Sequence, residues 1–126
     1  MSFTNFLETE ILDHVFAGAA YTAPGTHYLG LFTAAPGETG GGTELSGSGY
    51  TRKSVAFTTS GATTSNNAAI EFPTATGSWG TVTHVGVFDA ASSGNLMAYA
   101  TLSASKAIAT GDVFRVPSGD LDITLN

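Results

Sequence analysis

Three histidines (His14, His27, His84) and three aspartates near the C-terminus (Asp112, Asp120, Asp122) are the residues whose types could do chemistry. A zinc site needs closely spaced ligands, such as two histidines four apart on a helix, or cysteines that complete a tetrahedron. No two histidines share that spacing and the chain has no cysteine, so each imidazole reads as a surface or interface group. Asp120 and Asp122 are two apart, which on a strand places both carboxylates on one face. That arrangement could hold a hard cation such as calcium through oxygen ligands. The simpler reading, and the one adopted, is an acidic edge that discourages pairing between molecules.

Serine is abundant, but Gly47-Ser-Gly49 lacks the Gly-x-Ser-x-Gly frame between a strand and a helix that exposes a nucleophile. Gly40-Gly-Gly42 lacks the lysine and following helix of a phosphate loop. A carbohydrate site needs aromatic faces for stacking. Tyr21, Tyr28, Tyr50, Tyr99 and the single tryptophan, Trp79, are the candidates, and their strand context places most of them in the core. The expectation is a chain that is not an enzyme, with no catalytic residue, metal ligand or cofactor.

The charge balance narrows the partners. Net charge is −6 and the only cations are Arg52, Lys53, Lys106 and Arg115, so a surface that neutralises several phosphates is not expected and nucleic acid is excluded. No apolar run approaches the ~20 residues of a membrane span. Glu8, Glu10 and Asp13 stand where a signal peptide would be basic, so synthesis in the cytoplasm is expected. Hydrophobic residues make up 42% and charged residues 11% of the chain. So few charges leave Ser, Thr, Gly and Ala to cover the outside, as in a protein packed against neighbours. Arg52 and Lys53 adjoin at the start of a strand and point to opposite faces, and each is a candidate interface contact.

These residues must be positioned by one helix and a set of strands. Phe3, Phe6, Leu7, Ile11, Leu12 and Val15 define an apolar stripe that predicts a helix over about residues 3–17, with Asn5 and Glu8 as a capping-box-like start and Gly18 as the stop. Phe6, Leu7 and Ile11 are its expected anchors against a sheet or a neighbouring subunit. Strands are predicted at His27–Thr33, Thr51–Thr58, Ala68–Phe72, Thr81–Phe88, Asn95–Leu102, Val113–Val116 and Leu121–Leu125. Ser92–Asn95 reads as a hairpin connection with Gly94 at positive φ. Residues 34–49 and 58–67 read as long loops, and Pro36 and Gly41 mark the first as a candidate contact element. The fold class is mainly β, an antiparallel β-sandwich of about seven strands with one short N-terminal α-helix, in a single domain over 1–126.

Tyr28–Gly37, Gly40–Tyr50 and Trp79–Asp89 resemble small tailed-phage virion proteins commonly labelled tail fibre proteins, a group with capsid decoration (cement) proteins of similar type. The resemblance runs from the helix to the Gly119–Leu125 ending. It implies a virion structural protein that contacts the major capsid protein or another virion protein, as a homo-oligomer such as a trimer. A fibre shaft gains length from repeats, a coiled coil or a β-helix, and none is visible. Capsid decoration is therefore the preferred role, with a small tail fibre or baseplate-associated module as the alternative and a carbohydrate-binding domain behind both.

Overall fold

Short runs of Val, Ile, Leu and Phe broken by Gly and Pro can bury a face only by pairing edge to edge, and the described residues do so in eleven strands. The computed structural model describes residues 1–125. In chain order the elements are β1 (Ser2–Phe3), α1 (Asn5–Phe16), β2 (His27–Ala34), β3 (Thr43–Glu44), β4 (Lys53–Val55) and β5 (Phe57–Ser60). They continue with β6 (Thr63–Asn66), β7 (Ile70–Glu71), β8 (Gly80–Phe88), β9 (Leu96–Ile108), β10 (Arg115–Val116) and β11 (Asp122–Thr124). One six-stranded antiparallel sheet runs β1-β9-β8-β2, with β3 and β4 both paired to β2. A three-stranded sheet β11-β6-β5 and the pair β10-β7 complete the strands. All three contribute to one core, in which Leu29, Leu31, Val85 and Val87 of the large sheet meet Ile70, Phe72, Phe114 and Leu121.

The mainly β, antiparallel architecture with one short helix matches the expectation, but the division into strands differs. Thr51–Thr58 is two strands, because the chain leaves the large sheet at Ala56: β4 pairs with β2, whereas β5 pairs with β6. Residues 58–67, expected as a loop, form most of the β5–β6 hairpin. Their Thr and Ser side chains, exposed in β5 and half-buried in β6, gave no apolar alternation to read. The strand expected to end at Leu102 runs on to Ile108, with a bulge on the way. Between the pairs His84↔Thr101 and Val82↔Lys106, four residues of β9 stand opposite Thr83 alone.

The helix starts later than predicted because Ser2 and Phe3 pair with Tyr99 and Ala98. Thr4, not Asn5, is the N-cap, at φ −79° and ψ 162°. Its hydroxyl makes no helix cap and instead donates to the Leu96 carbonyl at 2.6 Å. The Asn5 N–H is taken by the carbonyl of Glu38. Gly18 ends the helix at φ +72° as expected.

Paired glycines shape the outer face of the large sheet. Gly30 and Gly86 stand opposite each other in β2 and β8. A Cβ on Gly30 would lie 2.8 Å from Phe88 Cε2, and one on Gly86 would lie 2.6 Å from Leu96 Cδ1 and 2.9 Å from Phe32 Cε1. Their bare backbones let Phe32 and Phe88 stack at 5.9 Å between ring centroids and form a second apolar cluster with Leu96.

Asn66 ties the small sheet to the C-terminal segment. It is buried, its Nδ2 donates to the carbonyls of Ala68 and Pro117, and its Oδ1 accepts the Leu121 N–H, all at 2.9 Å. Truncation orphans a buried backbone donor and two carbonyls, so Asn66→Ala should cost about 2–4 kcal/mol. Urea denaturation should show a lower midpoint at an unchanged slope; an unchanged midpoint would contradict this role.

Candidate functional site

Two surface features carry the possibilities for contact, a helix end and a cleft. Of the expected helix anchors, Leu7 is buried while Phe6 and Ile11 are half-buried. The stripe does not stay covered along its length. Leu12, Val15 and Phe16 are 57%, 60% and 81% exposed, and as positions i, i+3 and i+4 they form one apolar face at the helix end. The cleft, of about 480 Å³, lies between the bulged part of β9 and residues 114–122. Leu102, Val116 and Leu121 supply its apolar lining, and Lys106, Arg115, Asp120 and Asp122 its charged groups.

The other sequence candidates scatter. Pro36 is buried, Gly41 is exposed, and Lys53 is half-buried at the start of β4 opposite Leu29. Asp120 lies outside β11, so it does not share a strand face with Asp122 as predicted, and Asp122 accepts a hydrogen bond from Ser65. Asp112 accepts the Ala109 N–H. His14 Nδ1 accepts the Tyr21 N–H, His27 packs edge-on to Phe57, and His84 Nδ1 is 2.8 Å from the Thr83 hydroxyl. Among the described residues no three His, Cys, Asp or Glu side chains group as metal ligands. Trp79 is buried with its indole N–H on the Ser48 carbonyl, and all four tyrosines are half-buried, so no exposed aromatic platform for a sugar is present among these five.

Arg52, offered by the sequence as an interface cation, is engaged inside the subunit. Its guanidinium lies 3.4 Å above the centre of the Phe88 ring. Nε and Nη2 donate to the two carboxylate oxygens of Glu44 at 2.8 and 2.7 Å, and Nη1 donates to the carbonyls of Ala90 and Ser93, both at 2.8 Å. Glu44 also accepts the Tyr50 hydroxyl at 2.8 Å, and that hydroxyl accepts the Leu31 N–H at 3.0 Å. The C-terminal part of the long loop is thereby fixed. Gly42 is part of the fixing: at φ +75°, a Cβ there would sit 2.5 Å from the Ala34 carbonyl oxygen. Shortening Gly40–Gly42 would therefore disturb folding as well as any contact the loop makes.

A family model described as podophage GP4 fiber I protein gp80 matches residues 2–124, nearly the whole chain. The chain belongs to this family. No curated protein matches it. A phage fibre-type structural protein follows, with a virion location, and no helix among the described residues is long and apolar enough to cross a membrane.

For this podophage fibre protein, sequence reading located the helix, both cation neighbours and the glycine-rich loop. It missed Glu44, Tyr50 and Asn66 as polar anchors, and Phe16 as part of an exposed face. The signal for Phe16 was present, since Leu12, Val15 and Phe16 repeat at helical spacing beyond the point where one sheet could cover them.

Burial raises the Tyr50 phenol above its usual pKa of 10.0, the Leu31 N–H offsets part of that rise, and the Glu44 carboxylate adds to it. The folded chain thus keeps a proton that the unfolded chain releases near pH ~10. This stabilisation is complete below that pH and declines as the pH rises past it. Tyr50→Phe should cost about 1–3 kcal/mol at neutral pH by leaving Glu44 and the Leu31 N–H short of a partner. The gap between wild type and variant, read by urea denaturation, should narrow above about pH 10. A gap that is absent or independent of pH would refute the assignment.

Proposed function

We propose that this protein is a small structural subunit of a phage fibre, joined to other virion proteins by protein–protein contacts, and that it carries no catalytic activity. The observation that supports this most is the fibre family match across residues 2–124. It shifts the preference from capsid decoration, which rested on the lack of a shaft-forming repeat, to the fibre. The surface is suited to contact: an apolar helix end stands free in a chain with only fourteen Asp, Glu, Lys and Arg residues. Apolar and backbone contacts then dominate attachment, with charge contributing at the rim.

Gold labelling of intact particles with an antibody to the folded protein tests the placement. Label on fibres or at their base is expected. Label spread over the head shell would restore the decoration reading, and so would a loss of DNA retention on heating in particles that lack the protein.

A further inference from the structure

We propose that His14 is a pH-sensitive latch at the end of the helix: its neutral imidazole holds the strap that leads from α1 to β2, and its protonation lets that strap go while the helix and the turn that closes it remain. The latch does not depend on the protein's place in the virion.

The chain leaves α1 at Phe16, turns at Gly18 in the left-handed conformation, and reaches β2 at His27. Hydrogen bonds to Asp13 and His14 fold this connection back on the helix. The Asp13 carbonyl accepts the N–H of Ala17 at 3.1 Å and of Ala19 at 3.0 Å, and His14 Nδ1 accepts the N–H of Tyr21 at 3.1 Å. Beyond the turn little else restrains the chain. Among the described residues, the segment 20–26 makes no other hydrogen bond, and only Tyr21 and Pro24 within it are half-buried. The bonds to the Asp13 carbonyl are indifferent to pH. The bond to the imidazole nitrogen is not.

An amide N–H can be accepted only by a bare ring nitrogen, so the bond to Tyr21 fixes the tautomer with hydrogen on Nε2. Protonation places a hydrogen on Nδ1 as well, and two donors then face each other. Histidine is the side chain that makes this change between about pH 5 and 8. The surroundings favour the charged ring once the strap is free. His14 lies in the last turn of α1, where the helix presents its negative pole. Glu10 stands four residues before it on the same face, Asp13 adjoins it, and the helix has no Lys or Arg. From the sheet, Asp89 at the end of β8 lies close to Tyr21: burial raises the Tyr21 phenol, and Asp89 and Glu10 add to the rise. Asp89 is itself held by the backbone N–H and side-chain amide of Asn95. The other histidine of this connection, His27, packs edge-on against Phe57. The neutral ring binds the strap and the charged ring binds the acidic helix end, which gives protonation a differential hold on two states. Release slackens the connection between β2 and the helix end that carries the exposed Leu12, Val15 and Phe16.

Nuclear magnetic resonance of the isotope-labelled full chain, taken from about pH 8 down to about pH 5, reads the latch. At the upper end the ring nitrogen shifts of His14 should show a bare Nδ1 and hydrogen on Nε2. The protection factor of the Tyr21 amide, corrected for the intrinsic pH dependence of exchange, should fall about three- to tenfold toward the lower end, the worth of one hydrogen bond. The Ala17 and Ala19 amides should keep theirs. His14→Ala, an exposed helical position at which alanine is a good helix former, should show the low Tyr21 protection at every pH with an unchanged circular dichroism spectrum. A bare Nε2 at the upper end, a Tyr21 amide whose protection ignores pH, or Tyr21 protection undiminished in His14→Ala would each overturn the proposal. A titration that survives in His14→Ala would belong to another group and overturn it too. So would loss of Ala17 and Ala19 together with Tyr21, since the helix end would then be melting as a whole.

Discussion

The Arg52 guanidinium ties together β3, the end of β8 and the β8–β9 turn through one cluster of polar contacts. It lies flat on Phe88 at the end of β8, grips Glu44 from the glycine-rich loop with two parallel hydrogen bonds, and takes two carbonyls from the β8–β9 turn. Arginine is suited to this because its planar fork matches a carboxylate and its face stacks on an aromatic ring. Lysine could do neither. Through Glu44 the same cluster reaches Tyr50, and through Tyr50 the backbone of Leu31 in the middle of β2. Side chains of both ions are largely withdrawn from water, at 8% and 24% exposure. The desolvation of such a pair is costly, and it is tolerated because nearly every donor and acceptor finds a partner.

Away from this polar pin, two surfaces remain open. The helix is braced at its start by Glu38 and Leu96, while Leu12, Val15 and Phe16 toward its far end are exposed. The burial pattern follows directly: Leu7 covered, Ile11 partly covered, Phe16 open. The β9 bulge forms one wall of a cleft lined by Lys106 and Arg115 together with Asp120 and Asp122. A chain so poor in charge leaves contact to be made by shape and apolar area, which suits a component that works packed among neighbours.

Much of the fold was legible because apolar periodicity survives where a face is buried. The continuous apolar runs Leu29–Phe32 in β2 and Val85–Phe88 in β8, buried on both faces, mark the central strands of the large sheet. The β5–β6 hairpin was hidden for the opposite reason: its threonines and serines are exposed or only half-buried and carry no apolar period. Ser2–Phe3 read as helix because two residues of strand cannot compete with a continuous apolar stripe in sequence, whereas in space β9 offers them a ladder. The engagement of Arg52 could not be read at all. Eight residues separate it from Glu44 and about forty from its carbonyl partners, and nothing local records which cation will be enclosed. Family membership, by contrast, was legible from the glycine and aromatic segments, although the preference for the capsid over the fibre was a shape argument that the family match does not support.

The account depends most on the coupling between Arg52 and Glu44, and a double-mutant cycle with Arg52→Met and Glu44→Gln measures it directly. Stabilities of wild type, both single variants and the double variant come from chemical denaturation. The account predicts that the double variant loses less than the sum of the singles, with a coupling above about 1.5 kcal/mol, as for a pair withdrawn from water and shared with other groups. A coupling below about 0.5 kcal/mol, the level of an ordinary exposed ion pair, would contradict it.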